Sequence, residues 1–316
     1  MRAALVIVAL TVLALAQQAF ASKPGLGPAA MPQATYEEFV AAAKERFPGP
    51  FDDAAFRRDH LVSDWKAMRT SEVIASDLTY KVDGLSITGV VVRPRAGKRL
   101  PILIWARGGV GEARIDPPQL VEMGWWARHG YLVIASNYRG AGGSEGKDEF
   151  GGADVNDLVA LVAIARKYRQ VDVRRIYGVG FSRGGMMLLR AAAFGLPVRA
   201  LATAGAPTDL ASWIGERPDV DALLRRMAPD YEPERRSGYC RRSATCWAER
   251  LAVPVYLAHG GDDRSVPPSQ AVLLSKRLEQ LGRPHRLSIL DGADHGISGR
   301  RMQFFEEVHR FFSTAR

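Results

Sequence analysis

The chain has 316 residues, room for one large or two small domains, and its 47% hydrophobic against 24% charged residues excludes a disordered polar chain. The formal charge is +9, but the basic residues fall in short pairs such as Arg57-Arg58, Arg235-Arg236 and Arg300-Arg301, diluted by acids and apolar residues. These read as solvated surface, and nucleic acid is not an expected partner.

Arg2, the apolar run AALVIVALTVLALA and Ala19-Phe20-Ala21 before Ser22 make the charged start, hydrophobic middle and small-x-small end of a secretory signal over residues 1–21. The run is short for a membrane span and no other stretch approaches ~20 apolar residues, so no stable membrane insertion is expected once the signal is cleaved. The expectation is an exported protein, periplasmic or secreted. Residues 22–34 are rich in Pro, Gly and Ala and read as a leader. Helical patterns over 35–47 and 53–69 complete an N-terminal segment, 22–70.

From 71 to the end the pattern changes. Strand-like runs at 72–82 and 85–94 flank Asp83-Gly84, a hairpin signal. Buried strands then alternate with helices: strands at 101–106, 131–137, 174–181, 199–206, 253–260 and 285–290, helices at 117–130, 154–168, 184–195, 269–282 and 300–312. Such alternation predicts an α/β fold, a mainly parallel central sheet with helices on both faces. Residues 207–250 interrupt it and read as a short helical insertion over the strand C-terminal ends, where open sheets of this kind bind ligands. Its aromatic residues Trp213, Tyr231 and Trp247 are candidates to line a substrate pocket. Cys240 and Cys246 also lie there, the only two cysteines. In an oxidising compartment this pair predicts one disulfide. No ligand partners are spaced for zinc, and neither metal nor organic cofactor is expected.

One stretch carries chemistry. Gly180-Phe181-Ser182-Arg183-Gly184 fits G-x-S-x-G, follows a strand and opens a helix, the context of a nucleophile elbow. The sharp turn lifts the Ser182 hydroxyl clear of the sheet, while the Arg183 amide and the helix N-terminus suit an oxyanion. An activated serine needs a base and an orienting carboxylate. At two later strand ends lie His259-Gly260-Gly261-Asp262-Asp263, offering Asp262 or Asp263 as the acid, and Asp291-Gly292-Ala293-Asp294-His295, offering His295 as the base. The chain order Ser, Asp, His is that of the α/β-hydrolase sheet. His60, His129, His285 and His309 sit where structural or surface roles fit better, and His259 is expected to shape the acidic turn.

GFSRGG, HGGDDRSVP and GADHG, with NYRGAGGSEGKDEFGGADVNDL at 137–158 and RSATCWAERLAVPVYLAHG at 242–260, resemble the catalytic domain of the prolyl oligopeptidase family of serine peptidases. The likeness spans roughly 75–316. It implies Ser182 as nucleophile, His295 as base and, by the pattern H-G-x-x-D-x-x-V-P, Asp263 rather than Asp262 as the acid. Many members of that family carry a β-propeller that filters substrates by size; this chain is too short for one, which implies an open site. Arg107 in ARGGVG stands where members often have His or Tyr, a tyrosine that in some contributes to the oxyanion hole. Here the Arg183 amide and an amide near Gly108 are expected to form the hole. Arg107 either assists with its guanidinium or pairs with an acid of the 144–157 stretch. The expected activity is cleavage of peptide bonds through an acyl-enzyme. A carboxylesterase acting on small esters with the same triad is the alternative, and an inactive binding protein a more distant one.

Overall fold

In a computed structural model, which describes residues 35–46, 51–233 and 235–315, the chain is organised around strand β3 (Leu100–Ala106). Its residues alternate between two buried faces: Ile102 and Ile104 point to one, Leu103 and Trp105 to the other, all with 0% exposure. A strand buried on both sides loses the polar alternation of a half-exposed one, which is why LPILIWA is uniformly apolar.

The other strands are β1 (Val73–Val82), β2 (Leu85–Pro94), β4 (Leu132–Ser136), β5 (Val171–Phe181), β6 (Ala200–Ala204), β7 (Val255–Gly260) and β8 (His285–Leu290). They form one sheet in the order β1-β2-β4-β3-β5-β6-β7-β8. β1 and β2 are a hairpin turning at Asp83 (φ 51°) and Gly84 (φ 81°), and β2 meets β4 antiparallel; every other pairing is parallel. From β3 the chain moves outward to β4, then returns to place β5 on the opposite side. The strand order therefore reverses between β3 and β5, and in open sheets of this kind ligands bind beyond the C-terminal ends of the strands at such a switch point.

Helices α4 (Pro117–Arg128) and α11 (Arg301–Thr314) cover one face, through Met123, Trp126, Phe304, Phe305 and Phe312 packed on Leu103, Trp105 and Val179. Helices α5 (Val155–Ala165), α6 (Arg183–Ala193) and α10 (Ser269–Gln280) cover the other. The insertion supplies α7 (Leu210–Glu216), α8 (Asp219–Met227) and α9 (Arg236–Cys240), whose Leu210, Leu224 and Trp213 join that second core.

The N-terminal helices are α1 (Tyr36–Arg46), α2 (Asp53–Asp59) and α3 (Val62–Ala67). The periodic stretch 53–69 breaks at His60 (φ −127°, ψ 76°) because His60 is buried, with Nδ1 2.9 Å from the Phe56 carbonyl and its ring stacked on Phe56. Tyr36, Phe39, Val40, Phe56 and Trp65 form a small cluster with Val121 of α4. The expected signal and leader, 1–34, lie outside the described residues. Among the described residues no helix is long and apolar enough to cross a membrane.

Candidate active site

Ser182 sits between β5 and α6 at φ 51° and ψ −127°, backbone angles that cost a residue with a Cβ and are kept where the surroundings enforce them. Its amide donates to the Ala204 carbonyl at 2.8 Å, and its carbonyl accepts from the Gly185 amide at 2.9 Å. A Cβ on Gly184 would lie 2.1 Å from the Ala106 carbonyl oxygen, and one on Gly180 would lie 2.7 Å from the Gly185 Cα. The glycines on either side of Ser182 thus allow α6 to start against the ends of β3 and β5.

The loops after β7 and β8 are sewn together before they reach Ser182. Gly261 and Asp262 donate their amides to the Leu290 and Ala293 carbonyls at 2.8 and 2.9 Å. Asp263 is buried, and its Oδ1 accepts the amides of Ser265 and Val266, both at 2.9 Å. Its Oδ2 lies 2.7 Å from His295 Nδ1, and His295 Nε2 lies 2.9 Å from Ser182 Oγ. Burial pushes the Asp263 carboxyl up, but hydrogen bonds from His259 and His295, the His295 charge and the Val266 amide outweigh it and hold the group well below the ordinary carboxylate range. An ionised Oδ2 only accepts, so Nδ1 of His295 is the protonated nitrogen and Nε2 accepts from the serine hydroxyl. The structure brings Ser182, Asp263 and His295 together; Asp262 is exposed.

His259 does more than shape a turn. Fully buried, its Nε2 faces two acceptors, the Val266 carbonyl at 2.8 Å and Asp263 Oδ2 at 3.1 Å, and so carries the proton. Asp263 is thereby held by two imidazoles, a contact that the H-G-x-x-D spacing does not declare.

Gly108 borders the serine: a Cβ there would lie 3.2 Å from Ser182 Cβ and 3.1 Å from the Phe181 carbonyl oxygen. The Arg183 amide is the first of α6 and has no intrahelical acceptor. The Arg107 side chain behaves otherwise than expected. It is 1% exposed, and its guanidinium donates to the Gly108 carbonyl at 2.9 Å and to the Asn137 carbonyl, not to a site at Ser182. The ring of Tyr138, 4.5 Å from the guanidinium carbon, is the platform that turns it inward. Acids of the 144–157 stretch pair with other cations instead: Asp148 and Asp154 with Arg183, Asp157 with Arg139 and Glu145 with Lys81.

The three aromatic residues of the insertion are packed rather than presented. Trp213 is 7% exposed, stacks on Phe150 and donates Nε1 to the Ser265 carbonyl at 3.0 Å, bracing the Asp263 loop. Tyr231 donates to Asp221 at 2.7 Å within the insertion. Trp247 donates to the Cys240 carbonyl at 2.9 Å and meets Phe194 just past the end of α6, about 16 Å along that helix from its start. A disulfide joins Cys240 and Cys246. Among the described residues there is no group of three or more His, Cys, Asp or Glu able to hold a metal ion.

Comparison with known proteins gives this geometry a family. The family model described as "Prolyl oligopeptidase family" matches residues 119–315. A Bacillus subtilis protein designated uncharacterized peptidase YtmA is 28% identical over 212 residues, 66% of this chain and 80% of that one. Human dipeptidyl peptidase 8 is 27% identical over 232 residues, 68% of this chain but 25% of that protein. Among solved structures, the acylaminoacyl peptidase of Pyrococcus horikoshii superposes with a TM-score of 0.66 at 22% identity, covering 77% of this chain and 42% of that one. A puromycin-hydrolyzing peptidase of Mycobacterium tuberculosis gives 0.67 at 23% identity, with 76% and 39% covered. The shared fold is that of the α/β-hydrolases, and this chain spans about two fifths of the length of those structures. The chain belongs to the prolyl oligopeptidase family, serine peptidases of the α/β-hydrolase superfamily.

Proposed function

We propose that the protein hydrolyses peptide (amide) bonds, with Ser182 as nucleophile, His295 as general base and acid, and Asp263 as the orienting carboxylate. The observation that carries this reading is the single imidazole spanning both partners, 2.9 Å from Ser182 Oγ and 2.7 Å from Asp263 Oδ2. His295 Nε2 takes the hydroxyl proton as Oγ attacks the carbonyl carbon. The amides of Arg183 and of the Gly108 loop receive the developing oxyanion. The C–N bond then breaks, the amine leaves with the proton from His295, and an acyl-serine remains. Water, activated by the same imidazole, hydrolyses that ester and restores Ser182. The disulfide and the N-terminal pattern support export to an oxidising compartment.

The experiment is a parallel assay on acylaminoacyl-, dipeptidyl- and aminoacyl-arylamides, on puromycin and on p-nitrophenyl esters, each with Ser182→Ala as control. Amide hydrolysis lost on the order of a millionfold in the variant supports the reading. Ester turnover with no amide turnover makes the protein a carboxylesterase instead. Absence of both, together with no labelling of Ser182 by a fluorophosphonate, leaves a binding protein.

A further inference from the structure

Behind the loop that faces Ser182 lies a cluster of buried charge that the triad does not use. Tyr138, 0% exposed and at φ 64°, has two guanidinium groups over its ring, Arg107 at 4.5 Å and Arg183 at 5.4 Å. Each arginine holds one of two successive carbonyls of the same loop: Arg107 donates to Gly108 at 2.9 Å and Arg183 to Gly109 at 3.2 Å. In a planar trans peptide the N–H points opposite to the C=O. Drawing the Gly108 and Gly109 carbonyls toward the cluster therefore turns the N–H groups of Gly109 and Val110 the other way. Among the described residues neither amide meets an acceptor. The rest of the loop is fastened to the same cluster: the Gly111 amide donates to Asp148 Oδ2 at 2.9 Å, and the Ile115 amide to Asn137 Oδ1 at 2.9 Å.

The two cations are not equivalent. Asp148 and Asp154 compensate Arg183, whereas no carboxylate pairs with Arg107 among the described residues; its partners are carbonyls, and its Nε is buried without any. Burying a cation against dipoles alone costs stability. Fixing the peptide planes of the loop that faces Ser182 is a use that offsets this cost.

We propose that Arg107, Tyr138 and Arg183 form a positioning cluster that sets the peptide orientation of the Gly108–Val110 loop, so that its amides receive the oxyanion. Arg107 is a positioning residue and touches no reacting atom. The inference rests on Ser182 being the nucleophile.

The test is kinetic. Arg107→Met lowers kcat on the best amide substrate about 100-fold with KM within about threefold, the size expected when oxyanion donors are displaced by around an ångström. Affinity for a peptide aldehyde, whose Ser182 adduct places an oxyanion or hydroxyl in the same site, falls in parallel. Added guanidinium ion restores part of kcat in Arg107→Met and none in Ser182→Ala. Arg107→Lys keeps the charge but loses the two-carbonyl grip, and kcat falls at least tenfold; this variant decides the matter if Arg107→Met does not fold. Wild-type kcat in Arg107→Lys overturns the proposal. So does a loss in Arg107→Met confined to KM, or one that guanidinium leaves unchanged while aldehyde affinity holds. Hydrolysis surviving in Ser182→Ala overturns the nucleophile assignment itself, a separate failure.

Discussion

Asp59, the last residue of α2, accepts the Gly299 amide at 2.6 Å and the Arg301 amide at 2.9 Å, so the N-terminal helices grip the segment between His295 and α11. The family match begins only at residue 119, which makes this grip an addition to the matched region. Asp59→Ala strands both amides and is expected to destabilise the fold by about 2 kcal/mol. Loosening the segment that positions His295 also lowers kcat. Asp59→Asn keeps one acceptor oxygen and falls between the two. Thermal unfolding with kcat measured on the same preparations checks this; an unchanged melting temperature in Asp59→Ala speaks against the grip.

Asp263 sets a second expectation, in pH. Its carboxyl is held below its ordinary value, so its contribution to stability is complete above the unfolded-state pKa of about 3.9 and is lost only as pH falls toward the lower folded-state value. The gap in unfolding free energy between wild type and Asp263→Asn therefore narrows below about 4. In the same variant the amide oxygen stays on the Ser265 and Val266 amides and an NH2 faces His295 Nδ1, which imposes the wrong tautomer, and kcat falls on the order of ten-thousandfold, as in the well-studied serine proteases. Acid inactivation of the wild type above pH 4 does not arise from Asp263. Denaturant titrations across pH would refute this if the gap failed to narrow below about 4.

The elements that meet at the site were legible wherever the signal is local. The elbow glycines, the alternation of strands and helices and the turn at Asp83-Gly84 each act through neighbours in the chain. What escaped reading acts across long separations. No spacing rule links Arg183 to Asp148 and Asp154, or Asp59 to Gly299, and such pairs exist only once the sheet is built. The direction of Arg107 is set at long range too, by Tyr138 and by the carbonyl of Asn137 just past the end of the neighbouring strand. Trp213, Tyr231 and Trp247 were candidates for a pocket because an insertion above a sheet exposes its underside. This insertion uses its rings to fasten itself instead, since a stretch of about 40 residues must bury apolar surface to hold a shape.

Two glycines near Ser182 are expected to fail differently. A Cβ at Gly184 meets the carbonyl oxygens of Ala106 at 2.1 Å and Arg107 at 2.4 Å, backbone that cannot step aside, so Gly184→Ala yields little folded protein. At Gly108 the contacts are 3.1 and 3.2 Å, which a shift of a few tenths of an ångström relieves. Gly108→Ala folds, but the shift is taken by the loop facing the serine, and kcat drops tenfold or more with KM little changed. Circular dichroism and steady-state kinetics separate the two; wild-type kcat in Gly108→Ala places the loop outside the reaction.

The disulfide contributes less than the residue it encloses. Cys240 and Cys246 close a loop six apart, and so short a loop constrains the unfolded chain by about 2 kcal/mol at most. Within it Arg242 is fully buried, donating to the Phe150 carbonyl at 2.7 Å, the Glu149 carbonyl at 2.9 Å and Asp230 at 2.7 Å. Those carbonyls belong to the stretch that supplies Asp148 to Arg183, so the insertion is tied to the serine elbow through Arg242 rather than through the sulfurs. Replacing both cysteines by serine is expected to lower the melting temperature by a few degrees and leave kcat near wild type. Arg242→Met leaves two carbonyls without their donor and Asp230 with Arg241 alone, and is expected to cost about 3 kcal/mol. Because Asp148 loses its support, kcat falls as well. If the serine pair proved the more damaging in both measurements, the covalent link and not the arginine would be what seats the insertion.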